Sequence, residues 1–261
     1  MKQIIRFIIT GTLFIFLSSA FSQTSLVVGA SGGANLAKQK LAGDMPFPGR
    51  DFDGNISRTL QYQGGIDLGI QFGNLAILTG ARYNQRGNKL TENRDDPNSK
   101  YWVLPDGSTD VGELTVKTKY NFISIPLMAR YKLGQGAFKF SIALGPQFNL
   151  GAGKVTETDE FQLLNKGEII NEYTYEYGNA GDNLLKKSNV SFVFMPGIAI
   201  DVSPKGSFKV NMILESSGDM LNKSYLVNGG ERKVQGSIKS RTFALEIGYE
   251  HRLDFNVGVK Y

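Results

Sequence analysis

The chain has 261 residues, with no cysteine, one histidine and 31 glycines, and 20% of its residues are charged. The lack of cysteine excludes disulfides, thiolate metal sites, a catalytic thiol and a lipid-modified N-terminal cysteine. A single histidine excludes any metal site built on two or three histidines. Abundant glycine, together with 17 Phe and 11 Tyr, suits strands better than helices.

The first 22 residues have the pattern of a secretory signal peptide. Two basic residues precede an apolar stretch over residues 7–17, and a small-x-small cleavage pattern ends at Ser22. Cleavage after Ser22 is predicted, with Ala20 as the alternative, so the mature domain covers residues 23–261. Its net charge would be +3 instead of +5, and no long run of Lys or Arg follows. Binding to nucleic acid is therefore not expected.

Eight segments of the mature chain alternate apolar and polar residues with period two. This pattern collects the apolar side chains on one face of a strand, whereas in a helix it would spread them around the axis. In chain order, the segments are residues 26–36, 64–72, 75–86, 123–133, 138–150, 190–202, 208–216 and 242–250. All eight are long enough for a tilted strand to cross a bilayer, which takes about 9–11 residues.

The face opposite the apolar side chains distinguishes two classes of all-β protein. That face carries Gly, Ala, Ser, Asn, Gln and charges of both signs. Gly and Ala contribute little to a solvent-facing strand, but they fit where eight strands converge on a narrow lumen. We therefore expect the apolar face to contact lipid and the small and polar face to line a barrel. The alternative is a soluble sandwich with the apolar face inward.

The connections alternate between long and short, as in outer-membrane barrels. The predicted short turns are residues 73–74, 134–136 and 203–206, and the predicted long loops are residues 37–61, 88–119, 151–189 and 217–240. Aromatic girdles are expected at both strand ends, formed by Phe72, Tyr131, Phe138, Phe208 and Tyr249 at the turns and by Tyr62, Tyr83 and Phe148 at the loops. These patterns predict an eight-stranded antiparallel up-and-down transmembrane β-barrel in the outer membrane of a Gram-negative bacterium.

Four stretches resemble the small outer-membrane barrels of Bacteroidetes known as PorT-like: residues 75–87 (LAILTGARYNQRG), 120–133 (YNFISIPLMARYKL), 140–151 (FSIALGPQFNLG) and 241–249 (RTFALEIGY). The founding member of that family is linked to protein secretion across the outer membrane, so the resemblance implies a secretion or assembly role. Family members tend to end at the strand matching residues 241–249. This chain continues through residues 255–261, which alternate again and are a candidate for an additional C-terminal strand.

Nine charged residues are predicted to point into the barrel: Asp67, Arg82, Arg130, Lys139, Asp201, Lys209, Glu215, Glu246 and Glu250. Because eight strands leave room only for side chains, these residues are expected to pair and fill the lumen. A charge-lined pore is the alternative.

Function is expected to lie in the outer loops, through contact with other envelope or secretion proteins. Two aromatic groups form the candidate contact surface, Tyr101 with Trp102 and Tyr173 with Tyr175 and Tyr177. These aromatics could instead pack on one another in strands that extend above the membrane. The chain is expected to be monomeric and in contact with outer-membrane lipid, and a narrow diffusion channel is the alternative function.

An enzyme is not expected. The single histidine, His251, follows the last inward-running segment and lies at the turn end, away from a lipid-facing outer rim. No motif for a catalytic nucleophile, a metal or a cofactor stands out, so no such site is predicted.

Overall fold

A computed structural model describes residues 24–42, 55–93, 111–163, 167–177, 185–221, 224–227, 230–233 and 237–254. The signal-peptide prediction, the candidate strand at residues 255–261 and the pair Tyr101 and Trp102 lie outside these residues. Among the residues described, no helix is long and apolar enough to cross a membrane.

The described part of the chain contains twelve strands. They are β1 (Thr24–Ala42), β2 (Asn55–Phe72), β3 (Leu75–Asn93), β4 (Val111–Pro126), β5 (Met128–Leu133), β6 (Phe138–Leu163), β7 (Gly167–Glu176), β8 (Ser188–Asp201), β9 (Gly206–Ser217), β10 (Ser224–Val227), β11 (Gly230–Lys233) and β12 (Ser237–Asp254). β4 and β5 occupy one strand position of the barrel, here called the β4–β5 stave, because both pair with β3 on one side and with β6 on the other. The interruption follows Pro126, which lacks an N–H, and the Leu127 N–H still donates to the Pro146 carbonyl at 2.9 Å.

Eight strand positions, with the β4–β5 stave counted as one, form a closed ring. β1 pairs with both β2 and β12, and antiparallel pairing continues around the ring through β3, the β4–β5 stave, β6, β8 and β9. Outside the ring, β7 pairs with the outer half of β6, and β10 pairs with β11. This closed antiparallel arrangement confirms the predicted eight-stranded barrel.

In the eight alternating segments, most large apolar side chains point outward and the charged side chains point inward. Phe138, Phe140 and Ile247 are 66%, 62% and 68% exposed, whereas Glu246 is 1% exposed. On β6, exposed apolar residues alternate with less exposed residues from Phe138 to Leu150. A soluble sandwich would bury the apolar set, so this arrangement excludes that alternative and fits a wall in contact with lipid.

Two aromatic contacts lie at opposite ends of this wall. Tyr62 and Tyr83 stack at the loop end with ring centroids 5.9 Å apart. Phe208 and Tyr249 meet edge to face at the turn end, 5.4 Å apart. Their places match the predicted girdles, which occur where outer-membrane barrels meet the two interfaces.

The tight turns lie at one end of the barrel, and the predicted loop boundaries at the other end are wrong. Gly73, with φ of 57°, takes the left-handed conformation that the β2–β3 turn requires. At the far end, here called the outer end, the strands continue well into the predicted loops: β6 runs to Leu163 and β3 to Asn93. Above the lipid-contacting part of the wall the apolar alternation ends, but backbone pairing continues. The sequence pattern therefore predicts strands that are shorter than the observed ones.

Candidate functional site

Arg82 on β3 bridges two carboxylates inside the barrel. Its Nη1 lies 2.8 Å from Glu246 Oε2, and its Nη2 lies 2.8 Å from Asp67 Oδ1. Glu246 also accepts hydrogen bonds from Gln63 Nε2 at 2.7 Å and Ser31 Oγ at 3.1 Å. All three charged groups are almost completely buried, so each relies on its partners for the stabilisation that water would otherwise provide.

Glu250 lies four residues after Glu246 on β12, nearer the tight turns, and it contacts three cationic side chains. Arg130 donates to both of its oxygens, Lys132 Nζ lies 2.8 Å from Oε1, and Lys209 Nζ lies 3.4 Å from Oε2. Lys209 also lies 3.2 Å from Asp67 Oδ2. Lys209 therefore joins Glu250 to the Arg82 bridge. We call this connected set of seven residues the lumen network: Asp67, Arg82, Arg130, Lys132, Lys209, Glu246 and Glu250.

Two further ion pairs lie at the ends of the lumen network. Toward the outer end, Arg86 Nη2 lies 2.5 Å from Glu215 Oε1, and the Arg86 guanidinium lies 5.2 Å from the centre of the Phe122 ring. At the turn end, Asp201 accepts from Lys139 Nζ and Ser207 Oγ, both at 2.5 Å. All nine charged residues predicted to face the lumen therefore lie in ion pairs on the inner side of the wall.

Glycines on β1 and β2 lie where neighbouring strands and the Arg82 side chain approach closely. A Cβ at Gly65 would lie 2.3 Å from the Ala81 carbonyl oxygen and 2.7 Å from Arg82 Cγ. A Cβ at Gly33 would lie 1.9 Å from the Leu245 carbonyl oxygen. The glycine-rich start of β1 is therefore a strand that its neighbours approach closely, as its sequence indicates.

The lumen also holds apolar and amide side chains. Val193, Met195, Met128 and Ile213 belong to a buried cluster inside the wall. This cluster corrects the expectation that small and polar residues alone line the barrel. Amide and hydroxyl groups bond to one another around Asn149, whose Nδ2 donates to Asn189 Oδ1 at 2.9 Å and whose Oδ1 accepts from Ser124 Oγ at 2.6 Å.

A cavity of about 10 Å³ lies among Arg82, Met128, Met195 and Glu215, which is room for about one water molecule. Both the ion pairs and the apolar cluster place buried side chains in the lumen.

A second apolar cluster, here called the outer cap, lies in the outer half of the barrel. Its members are Tyr120, Phe122, Val155, Leu185, Met220, Leu221 and Ile238. Leu185 precedes β8 and Met220 and Leu221 follow β9, so these members come from connecting segments. The Met220 N–H donates to the Ile238 carbonyl at 2.7 Å. Asp219 Oδ1 accepts from the N–H groups of both Leu221 and Ile238, at 3.1 and 3.0 Å. These bonds hold the connecting segments against the barrel wall.

The β6–β7 hairpin carries the three tyrosines of the predicted contact surface, which occupy different environments. Tyr177 packs against the outer cap, and its hydroxyl accepts from the Asn121 N–H and donates to the Asn121 carbonyl, both at 2.7 Å. Burial raises the pKa of this phenol. Tyr173 and Tyr175 stack with centroids 6.4 Å apart, and Tyr173 is 40% exposed. Of the three, Tyr173 is the one most available to a partner.

Two interior cations, Arg86 and Lys132, are absent from the predicted set. Arg86 is 1% exposed and Lys132 is 5% exposed. Arg86 lies four residues after Arg82 on β3, and Lys132 lies two residues after Arg130 on β5. Each therefore faces the same side of the sheet as that predicted residue. Both residues can be identified from the sequence when the two-residue alternation is extended to the end of each segment.

Comparison with known proteins shows to which family this chain belongs. The family model described as "Outer membrane protein beta-barrel domain" matches residues 21–215. The chain belongs to this family. It is therefore an outer-membrane protein, whose apolar wall faces lipid and whose charged side chains lie in the lumen.

Three solved structures illustrate the likeness in fold. Neisserial surface protein A is 11% identical, with a TM-score of 0.41, and the match covers 88% of this chain and 99% of that one. OprG from Pseudomonas aeruginosa is 9% identical, with a TM-score of 0.48 and coverage of 88% and 97%. The outer membrane protease OmpT from Escherichia coli is 12% identical, with a TM-score of 0.38 and coverage of 88% and 96%. No curated protein matches the chain significantly.

The structure also places the single histidine and the acidic side chains. His251 lies near the turn end of β12, where it pairs with Val28 of β1 and Gly206 of β9. Within the described part of the chain, no group of three or more His, Cys, Asp or Glu residues is arranged to hold a metal ion.

Proposed function

We propose that this protein is a non-conducting barrel that acts through its outer rim, as an interaction partner or accessory in secretion or surface assembly. The observation that carries the proposal is the occupied lumen. The lumen network lies inside the wall, the outer cap lies above it, and the cavity between Arg82 and Met195 has room for about one water molecule. A barrel whose lumen is filled in this way would act through its surfaces.

The alternative function is a narrow diffusion channel. A channel needs a connected row of waters past Arg82 and Glu250, and both side chains are held by several short ion pairs. The resemblance to the PorT-like barrels of Bacteroidetes supports an accessory role, because the founding member of that family is linked to protein secretion.

The β6–β7 hairpin is the part of the rim that we propose contacts a partner. It extends beyond the ring, carries the exposed Tyr173 and ends beside Tyr177, whose two bonds to Asn121 fix its base. A rigid aromatic on an anchored hairpin loses little conformational entropy on binding. Tyr173 and Tyr175 are therefore proposed as contact residues and Tyr177 as the residue that positions them.

Photocrosslinking in the outer membrane of the native host tests this role. A benzoylphenylalanine at position 173 is expected to give a discrete protein adduct. The same group at position 138, a lipid-facing site at the turn end, is the matched control and should give none. Tyr173→Ala should abolish binding of the partner identified in this way while leaving membrane insertion unchanged. Absence of an adduct at position 173 would contradict a role for the hairpin in binding.

A further inference from the structure

Five basic side chains point outward together at the outer end of β2, β1 and β12. Lys38 of β1 pairs directly with Arg241 of β12, and Lys40 pairs with Lys239 in the next outward row. Arg58 on β2 precedes Thr59, which pairs with Ala37, so Arg58 lies on the other side of Lys38. All five are exposed. We call these residues the cation array.

The cation array lacks carboxylate partners. None of its five members forms an ion pair with any residue in the described ranges. On the opposite wall, by contrast, Lys117 of β4 is paired with Glu160 of β6. Like charges directly opposite each other on neighbouring strands are unfavourable. An anion bound among these side chains would therefore stabilise the array.

The cation array lies directly above the apolar wall. Leu36 pairs with Leu60 on one side and with Phe243 on the other, and this row is immediately followed by the basic one. Lys38 is the fifteenth residue of β1, whereas a tilted strand needs about 9–11 residues to cross the hydrocarbon. The basic side chains thus lie at the level of the outer-leaflet head groups.

A groove connects these charges to the apolar wall. It has a volume of about 330 Å³, and its lining includes Arg58 and Arg241 together with Phe192, Leu214 and Phe243. Glu215 also contributes to the lining, but its carboxylate accepts from Arg86 inside the barrel. Cations at one end of a groove and apolar side chains at the other match an amphiphile with an anionic head.

We propose that the cation array binds the phosphate groups of an outer-leaflet glycolipid, whose acyl chains lie along the apolar wall below Arg241 and Phe243. Guanidinium groups recognise phosphate oxygens with paired hydrogen bonds, and Lys38 and Lys40 add point charges. A soluble polyanion would use the charges but leave the apolar part of the groove unoccupied, so the lipid fits both features of the surface.

Binding of defined lipids to the full mature chain in detergent micelles tests the proposal. The probe is lipid A with both phosphates, and the control lipid is the same molecule without them, each measured by native mass spectrometry. The triple substitution K38Q/R58Q/R241Q is expected to weaken binding of the phosphorylated lipid about a hundredfold, since each basic residue at an anionic surface contributes roughly a fivefold gain. The dephosphorylated lipid should bind weakly to both proteins.

A matched variant separates the array from net charge. K119Q/K154Q/K187Q removes three exposed basic residues from other parts of the outer end, and it should bind the phosphorylated lipid as the wild type does. Heat-dependent gel mobility confirms that each variant is folded. Equal loss in both variants, equal binding of both lipids, or tighter binding of a sulfated oligosaccharide than of the phosphorylated lipid would each overturn the proposal.

Discussion

Glu250→Gln is expected to lower the free energy of unfolding by about 3–5 kcal/mol, the usual cost of removing one partner from a buried ion pair. Glu250 is 0% exposed and is the acceptor for Arg130, Lys132 and Lys209. Of these cations, Lys209 keeps Asp67 as a partner, whereas Arg130 and Lys132 would lose their carboxylate. Urea titration of the barrel in lipid bilayers, followed by heat-dependent gel mobility, measures the loss.

An exposed ion pair of the same chain is the matched control. Lys205 and Asp254 lie 3.5 Å apart at the turn end, with both side chains more than half exposed. Asp254→Asn is therefore expected to change stability by less than about 1 kcal/mol. If Glu250→Gln proved as mild as Asp254→Asn, the turn-end half of the lumen would be hydrated and the lumen network would not fill it.

Arg82→Met is expected to destabilise the barrel by a similar amount, about 3–5 kcal/mol, for the opposite electrostatic reason. Without the guanidinium, Glu246 and Asp67 become buried carboxylates that have lost their shared cation. Glu246 keeps only the neutral donors Gln63 and Ser31. The same urea titration in bilayers measures the effect.

Neutralising the two carboxylates tests whether charge, and not packing, causes that loss. In the triple variant D67N/R82M/E246Q, both carboxylates that Arg82 pairs are neutral. Lys209 loses Asp67 but retains Glu250. Well-packed neutral replacements of buried ion pairs are often close to neutral in stability, so most of the loss should be recovered. A triple variant no more stable than Arg82→Met alone would mean that the bulk of Arg82, rather than its charge, stabilises the lumen.

The fold follows from the sequence to the extent that lipid imposes a pattern on it. Inside the membrane each outward residue must be apolar, so Phe138, Phe140 and Ile142 mark β6 clearly. Above the membrane no solvent imposes that rule. The outer halves of β6 and β4 therefore lack the alternation, although they pair from Lys119 with Thr156 outward.

The sequence predicts which charged residues face the lumen, but it does not predict which of them form ion pairs with one another. Strand parity places Arg82, Glu246 and Asp67 on the inner face. That Arg82 meets Glu246 depends on how β3 and β12, which are not neighbours in the ring, are staggered around the barrel. Apolar interior residues such as Met195 and Ile213 carry no pattern that separates them from lipid-facing ones, except their parity within β8 and β9. The connecting segments of the outer cap, including Met220, have no strand pattern at all.

Single-channel recording in planar bilayers tests the central claim most directly, namely that side chains fill the lumen. The wild-type chain, shown by heat-dependent gel mobility to be folded and inserted, is expected to give no stable conductance steps, because the lumen network and the outer cap leave room for about one water between Arg82 and Met195. Stable, reproducible steps from the folded wild-type chain would contradict this account and favour the diffusion channel.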